Sequence, residues 1–79
     1  MSPTIFRWKD YRFFFFSREE ERMHVHVACN DGEAKFWLEP IVALAKNYGL
    51  SQNQLREIQK IIEGKNNEIT SAWKKHFKS

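Results

Sequence analysis

Two histidines, His24 and His26, are the side chains in this sequence whose type and spacing best suit chemistry. They stand in the run His24-Val25-His26-Val27, where β-branched residues at alternate positions favour a strand. Alternate side chains of a strand share a face, which puts the two imidazoles together, about 7 Å apart along the backbone. That separation suits two ligands of one zinc ion, or a general base with a helper. A third metal ligand is not evident. Cys29 points to the other face of the same strand, and Glu33 lies near the wrong end of the next one. His24 and His26 therefore stay metal-ligand candidates without a completing partner, and no metal or other cofactor is assigned. An acid–base reading makes His26 the base and His24 the acid or a phosphate ligand, with Arg7 and Lys35 stabilising charge that develops on phosphate. Two histidines on an open sheet face make no pocket by themselves, so a structural or partner-contact role is the simpler reading.

Basic and aromatic residues surround the pair in sequence. Arg7, Arg12 and Lys35 alternate with Phe14, Phe16 and Trp37. Cations that take phosphates and rings that stack bases would suit RNA, and the same set would suit a protein partner or an ordinary wetted surface. Together with His24 and His26, these residues form the candidate partner-binding set. If Lys9-Asp10 is a two-residue turn, Arg7 and Arg12 face each other. Like charges so placed cost stability unless an acidic side chain or a phosphate joins them.

The elements that must position these groups are strands first and helices second. Thr4 to Trp8 and Tyr11 to Phe16 are β-prone runs separated by Lys9-Asp10, which reads as a tight hairpin. The charged stretch Ser17 to Met23, with Glu19-Glu20-Glu21 between Arg18 and Arg22, reads as a solvated loop. His24 to Cys29 and Glu33 to Leu38 are the third and fourth strands, with Asp31-Gly32 as the turn between them. That turn pairs Asn30 with Glu33, Ala28 with Lys35, and His26 with Trp37. Val25, Val27, Phe36 and Leu38 then share a face for the helices to cover, and His24, His26, Glu33 and Lys35 share the other. A one-residue slip would mix the two sets. The first hairpin has aromatics on both faces, Phe13 and Phe15 against Phe14 and Phe16. Two layers can bury only one face, and the other is left for a partner, a second copy or a third layer.

After Pro40, which suits the first position of a helix, Ile41, Leu44 and Ala45 fall at helical spacing, with Gly49 as the stop. Ser51 with Gln54 forms a capping-box pattern. Leu55, Ile58, Ile61 and Ile62, continued by Ile69, Ala72, Trp73 and Phe77, predict one long helix despite Gly64. Lys74, Lys75 and Lys78 crowd its last turns, where the helix dipole favours positive charge. The expected architecture is α+β, one domain over residues 1–79. A four-stranded antiparallel meander (3–38) precedes a short and a long helix (40–78) packed on one face.

Composition bounds the class. The chain has 79 residues with 42% hydrophobic and 15% aromatic content, too rich in rings for a disordered tail. Its single cysteine, Cys29, cannot form an internal disulfide and reads as a core thiol, so a reducing cytoplasm is the expected compartment. No apolar run approaches the length of a membrane span, and charges among the first twenty residues argue against a signal peptide. A net charge of +3 permits contact with RNA, DNA or an acidic protein.

The ordered set Thr4-Ile5-Phe6-Arg7-Trp8, Tyr11-Arg12-Phe13-Phe14-Phe15, His24-Val25-His26-Val27 and Ala34-Lys35-Phe36-Trp37-Leu38 resembles the small bacterial family known as domain of unknown function 4160. Pro40, Asn47-Tyr48-Gly49 and Trp73 extend the likeness over nearly the whole chain. Two positions depart from the pattern: Asp10 stands where Gly is common, and Glu21-Arg22-Met23 replaces a Pro-rich approach to the histidines. The resemblance implies no reaction. It implies a partner, a small protein encoded by a neighbouring gene, in an arrangement that looks like a toxin–antitoxin pair. The first expectation is thus a protein-interaction module of such a pair, with a homodimer also admitted. The alternative is a small ribonuclease-type toxin using His24 and His26 with Arg7 and Lys35. A DNA-binding transcriptional regulator comes third, since the second helix carries Glu57, Glu63 and Glu68 where a recognition helix would be basic.

Overall fold

A computed structural model describes residues 4–16 and 22–77 of the chain. Five strands run in the order of the sequence, β1 (Thr4–Trp8), β2 (Tyr11–Phe14), β3 (His24–Cys29), β4 (Gly32–Trp37) and β5 (Ala43–Tyr48), followed by α1 (Gln52–Gly64) and α2 (Asn66–His76). Each strand pairs antiparallel with its sequence neighbour in a single sheet. The fold is α+β, an antiparallel sheet followed by two helices.

The core forms on one side of the sheet. Phe13, Val25, Val27 and Phe36 are fully buried there beneath Ile58, Ile62 and Ile69 of the helices. The alternation read from the sequence holds, since Val25, Val27, Phe36 and Leu38 are all buried. Lys9 and Asp10 form the first turn, and Trp8 pairs with Tyr11 and Arg7 with Arg12 across it. The residue that takes the left-handed conformation is Lys9 (φ 54°) rather than Asp10. A bulge between Thr4 and Phe6 then brings Thr4, not Ile5, opposite Phe14.

Three expectations are corrected. The turn after β3 is Asn30-Asp31, with Cys29 opposite Gly32, so Ala28 meets Glu33, His26 meets Lys35 and His24 meets Trp37. The register differs from the expected pairing by two residues, an even shift, so the faces keep their composition. Residues 43–48, expected as part of a short helix opened by Pro40, form a fifth strand on the edge of the sheet. Pro40 instead follows a cis peptide bond in the turn before β5, and Gly49 ends that strand at φ +91°. A Cβ on Gly49 would lie 2.7 Å from the Asp31 carbonyl oxygen, and one on Gly32 would collide with the Tyr48 carbonyl. The end of β5 thus closes directly on the β3–β4 turn, and both glycines are required by that contact.

The third correction is the long helix, which is divided. The Lys65 amide donates to the Ile61 and Ile62 carbonyls, and its φ of −116° takes the chain out of helical geometry before α2 begins. The capping box at Ser51 is present as read: the Gln54 amide donates to Ser51 Oγ at 3.1 Å and the Ser51 amide to Gln54 Oε1 at 2.9 Å. Gln54 Nε2 also donates to Asp31 Oδ2 at 2.9 Å, which ties the start of α1 to the β3–β4 turn. The acidic cluster Glu19-Glu20-Glu21 and Lys78 lie outside the described residues. Among the described residues, no helix is long and apolar enough to cross a membrane.

Candidate functional site

The side of the sheet away from the core is organised in rows, because residues paired across antiparallel strands share a face. One row runs Arg7, Arg12, Ala28, Glu33 and Tyr48 from β1 to β5. The next runs Phe14, His26, Lys35 and Lys46. A third runs His24, Trp37 and Ala43. Phe16 follows β2 and brings its ring 5.8 Å from that of His26. Every member of the candidate partner-binding set except His24, which is buried against Trp73 of α2, is gathered on this side of the sheet, where Phe14 and Lys35 are themselves largely buried.

Ring and cation contacts join the rows. Phe14 stacks on His26 at 5.5 Å with 21° between planes, and the Arg12 guanidinium lies 4.5 Å from the Phe14 centroid. Arg12 is held from the other side by donating from Nε to Thr4 Oγ1 at 2.7 Å. Trp37 takes two cations, Arg22 at 4.2 Å and Lys35 at 4.7 Å. Each such contact is worth about 0.5–1 kcal/mol where water reaches it and more where it does not. Lys35 is only 6% exposed, with its ammonium held over the Trp37 ring. Among the described residues of the three rows, Glu33 is the one carboxylate beside Arg7, Arg12, Lys35 and Lys46.

The two histidines differ more than the sequence suggests. Their rings meet edge to face at 5.2 Å. His24, however, is 1% exposed, with the Trp73 ring of α2 5.0 Å away and Trp37 at 6.0 Å. Its Nδ1 lies 2.8 Å from the Arg22 carbonyl, which can only accept, so that nitrogen carries a proton. His24 is thus a buried joint between the sheet and the second helix, and His26 is the half-exposed member on the face. Of the cations in the acid–base reading, Lys35 is directly opposite His26, whereas Arg7 is two strands away, roughly 10 Å at the usual strand spacing. Among the described residues no group of three or more His, Cys, Asp or Glu converges as a metal site. Cys29, half-buried, packs against the core.

Arg22, Lys46 and Tyr48 were not singled out from the sequence. Arg22 falls in what reads as a loop, and the other two in what reads as a helix. The signal available for them was the β-branched pair Ile41-Val42 after the turn-forming Glu39-Pro40, which a strand uses better than a helix.

A second polar cluster lies at the hairpin tips, around a cleft of about 380 Å³ lined in part by Lys9, Tyr11, Asp31 and Glu57. Glu57 accepts from Lys9 Nζ at 2.8 Å and from the Tyr11 hydroxyl at 3.1 Å. The Lys9 hydrogen bond above all, with a smaller part from Tyr11, holds the Glu57 carboxyl below its usual range. Burial, followed by the Glu57 carboxylate, pushes the Tyr11 hydroxyl up. Glu57 thereby clamps the β1–β2 turn to α1.

No curated protein and no solved structure matches the chain. Residues 10–74, from the first turn through Trp73, match the family described as a domain of unknown function (DUF4160), and the chain belongs to that family.

Proposed function

We propose that this chain is a protein-interaction module that binds a small acidic partner protein, the product of a neighbouring gene in a toxin–antitoxin-like pair, across the open face of its sheet. The observation that carries the reading is the gathering of Arg7, Arg12, Lys35 and Lys46 with Phe14, His26 and Trp37 in adjoining rows of that face. Aromatic and arginine side chains at the centre of a surface are the usual anchors of protein interfaces, and complementary charge sets the choice of partner.

Co-purification with the neighbouring product, followed by titration of the two at rising salt, tests this. The complex forms, weakens as salt screens the charges, and loses affinity at least about tenfold in Arg12→Glu/Lys46→Glu. A monomer without affinity for that product, or an affinity untouched by the double reversal, overturns the reading. The ribonuclease-type alternative draws on the contact between His24 and His26. It is abandoned if RNA cleavage or growth arrest survives His24→Ala/His26→Ala.

A further inference from the structure

The two edges of the sheet are protected unequally. On β1 a bulge breaks the ladder between Thr4 and Phe6, and the helical layer reaches the strand. The Lys65 ammonium lies 5.3 Å from the Phe6 ring, and Ala72 and Lys75 share a cleft with Thr4 and Ile5. β5, at the other edge, shifts register against β4 and, among the described residues, pairs with no other strand. Large apolar side chains stay open along it and its approach: Ile41 is 71% exposed, Leu44 44% and Tyr48 62%. An edge of this kind offers unpaired backbone groups to another chain, and sheets usually blunt it with charges or a cover. Within β5 the only charged residue is Lys46.

We propose that β5 is the docking edge for an extended segment of the partner protein, which adds a sixth strand to the sheet and alternates apolar with acidic residues. This rests on the reading that the chain binds an acidic partner, and it names where that partner enters. Leu44 is paired with Phe36 and so lies on the helix side, where an apolar side chain of the added strand continues the core. Lys46 is paired with Lys35 on the open side. Lys46 is exposed at the sheet's edge, and an acidic residue of the added strand comes to lie beside it in that row. A second copy of this chain pairing through its own β5 would instead set another Lys46 against the first, a like-charge pair that costs stability. Main-chain hydrogen bonds then supply affinity, and the alternating side chains supply choice.

The probe is a synthetic peptide alternating valine and glutamate, added to the isotope-labelled protein and followed by amide chemical shifts and hydrogen exchange. Shifts concentrated at residues 43–48, with exchange there slowed about tenfold or more, are expected. Lys46→Glu, a surface change that leaves the fold in place, moves the preference to a valine–lysine peptide. Shifts centred on Arg12, Phe14 and His26 with β5 still exchanging freely overturn the edge assignment while leaving the partner-binding reading standing. Failure of the peptide to bind at low salt overturns it too, and co-purification with the neighbouring product then decides the broader reading separately. Protection of β5 without peptide, rising with protein concentration, assigns the edge to a second copy and overturns the proposal.

Discussion

On the helix-covered side of the sheet, Phe13, Val25, Val27 and Phe36 are packed against isoleucines and lose all contact with water. On the other side Phe14 and Trp37 belong to the same strands, yet their neighbours are guanidinium, ammonium and imidazole groups. The difference separates two uses of aromatic residues. Against methyl groups a ring contributes area removed from water, which has no direction and tolerates no gap. Under a cation it contributes the field of its face, which is directional, weaker, and still effective where water remains. One strand alternates between the two uses residue by residue.

Phe36→Ala breaks the comparison most severely. Emptying a fully buried aromatic site costs about 3–5 kcal/mol, and a domain this small has little more than that in total. Loss of the cooperative melt in circular dichroism is expected. Trp37→Ala, one position along the same strand, removes two cation contacts for about 1–2 kcal/mol. It leaves the fold intact and lowers partner affinity about tenfold or more in the same titration. If Trp37→Ala unfolds the chain as Phe36→Ala does, the open face is a second core and the comparison fails.

Ser51→Ala touches neither face and weakens only the start of the helical cover, by about 1 kcal/mol. A melting temperature lower by roughly 4–8 °C is expected, with partner binding unchanged. The smallest effect concerns Glu57. Its carboxyl is held below the usual range in the folded chain, chiefly by Lys9, so its contribution is present above the unfolded value and lost as pH falls through the folded one. Glu57→Gln therefore flattens the acid limb of melting temperature against pH without altering partner affinity.

The sequence carried the part of this design that depends on alternation. His24-Val25-His26-Val27 and Ala34-Lys35-Phe36-Trp37 sort correctly onto two faces because the period of a strand is fixed and the side chains differ sharply in polarity. It failed at Ala43-Leu44-Ala45-Lys46, where good helix formers are recruited into a strand because the outer edge of β4 is there to be paired. It failed again at Gly64-Lys65, since an unbroken isoleucine stripe does not show where a helix must turn to stay on a twisted sheet. The burial of His24 was hidden for a related reason. It depends on Trp73, some fifty residues away in the chain, and no local pattern reports that contact.

The neighbour-to-neighbour strand order has a consequence for how the molecule comes into being. Each hairpin can close as soon as its second strand leaves the ribosome, because no pairing waits for a distant segment. Both faces of the growing sheet are therefore wet until α1 and α2 are made, and the side that ends as core is for that interval the more aggregation-prone of the two. The opposite side carries charged and imidazole groups among its rings, so it is the face the nascent chain can leave in water at less risk.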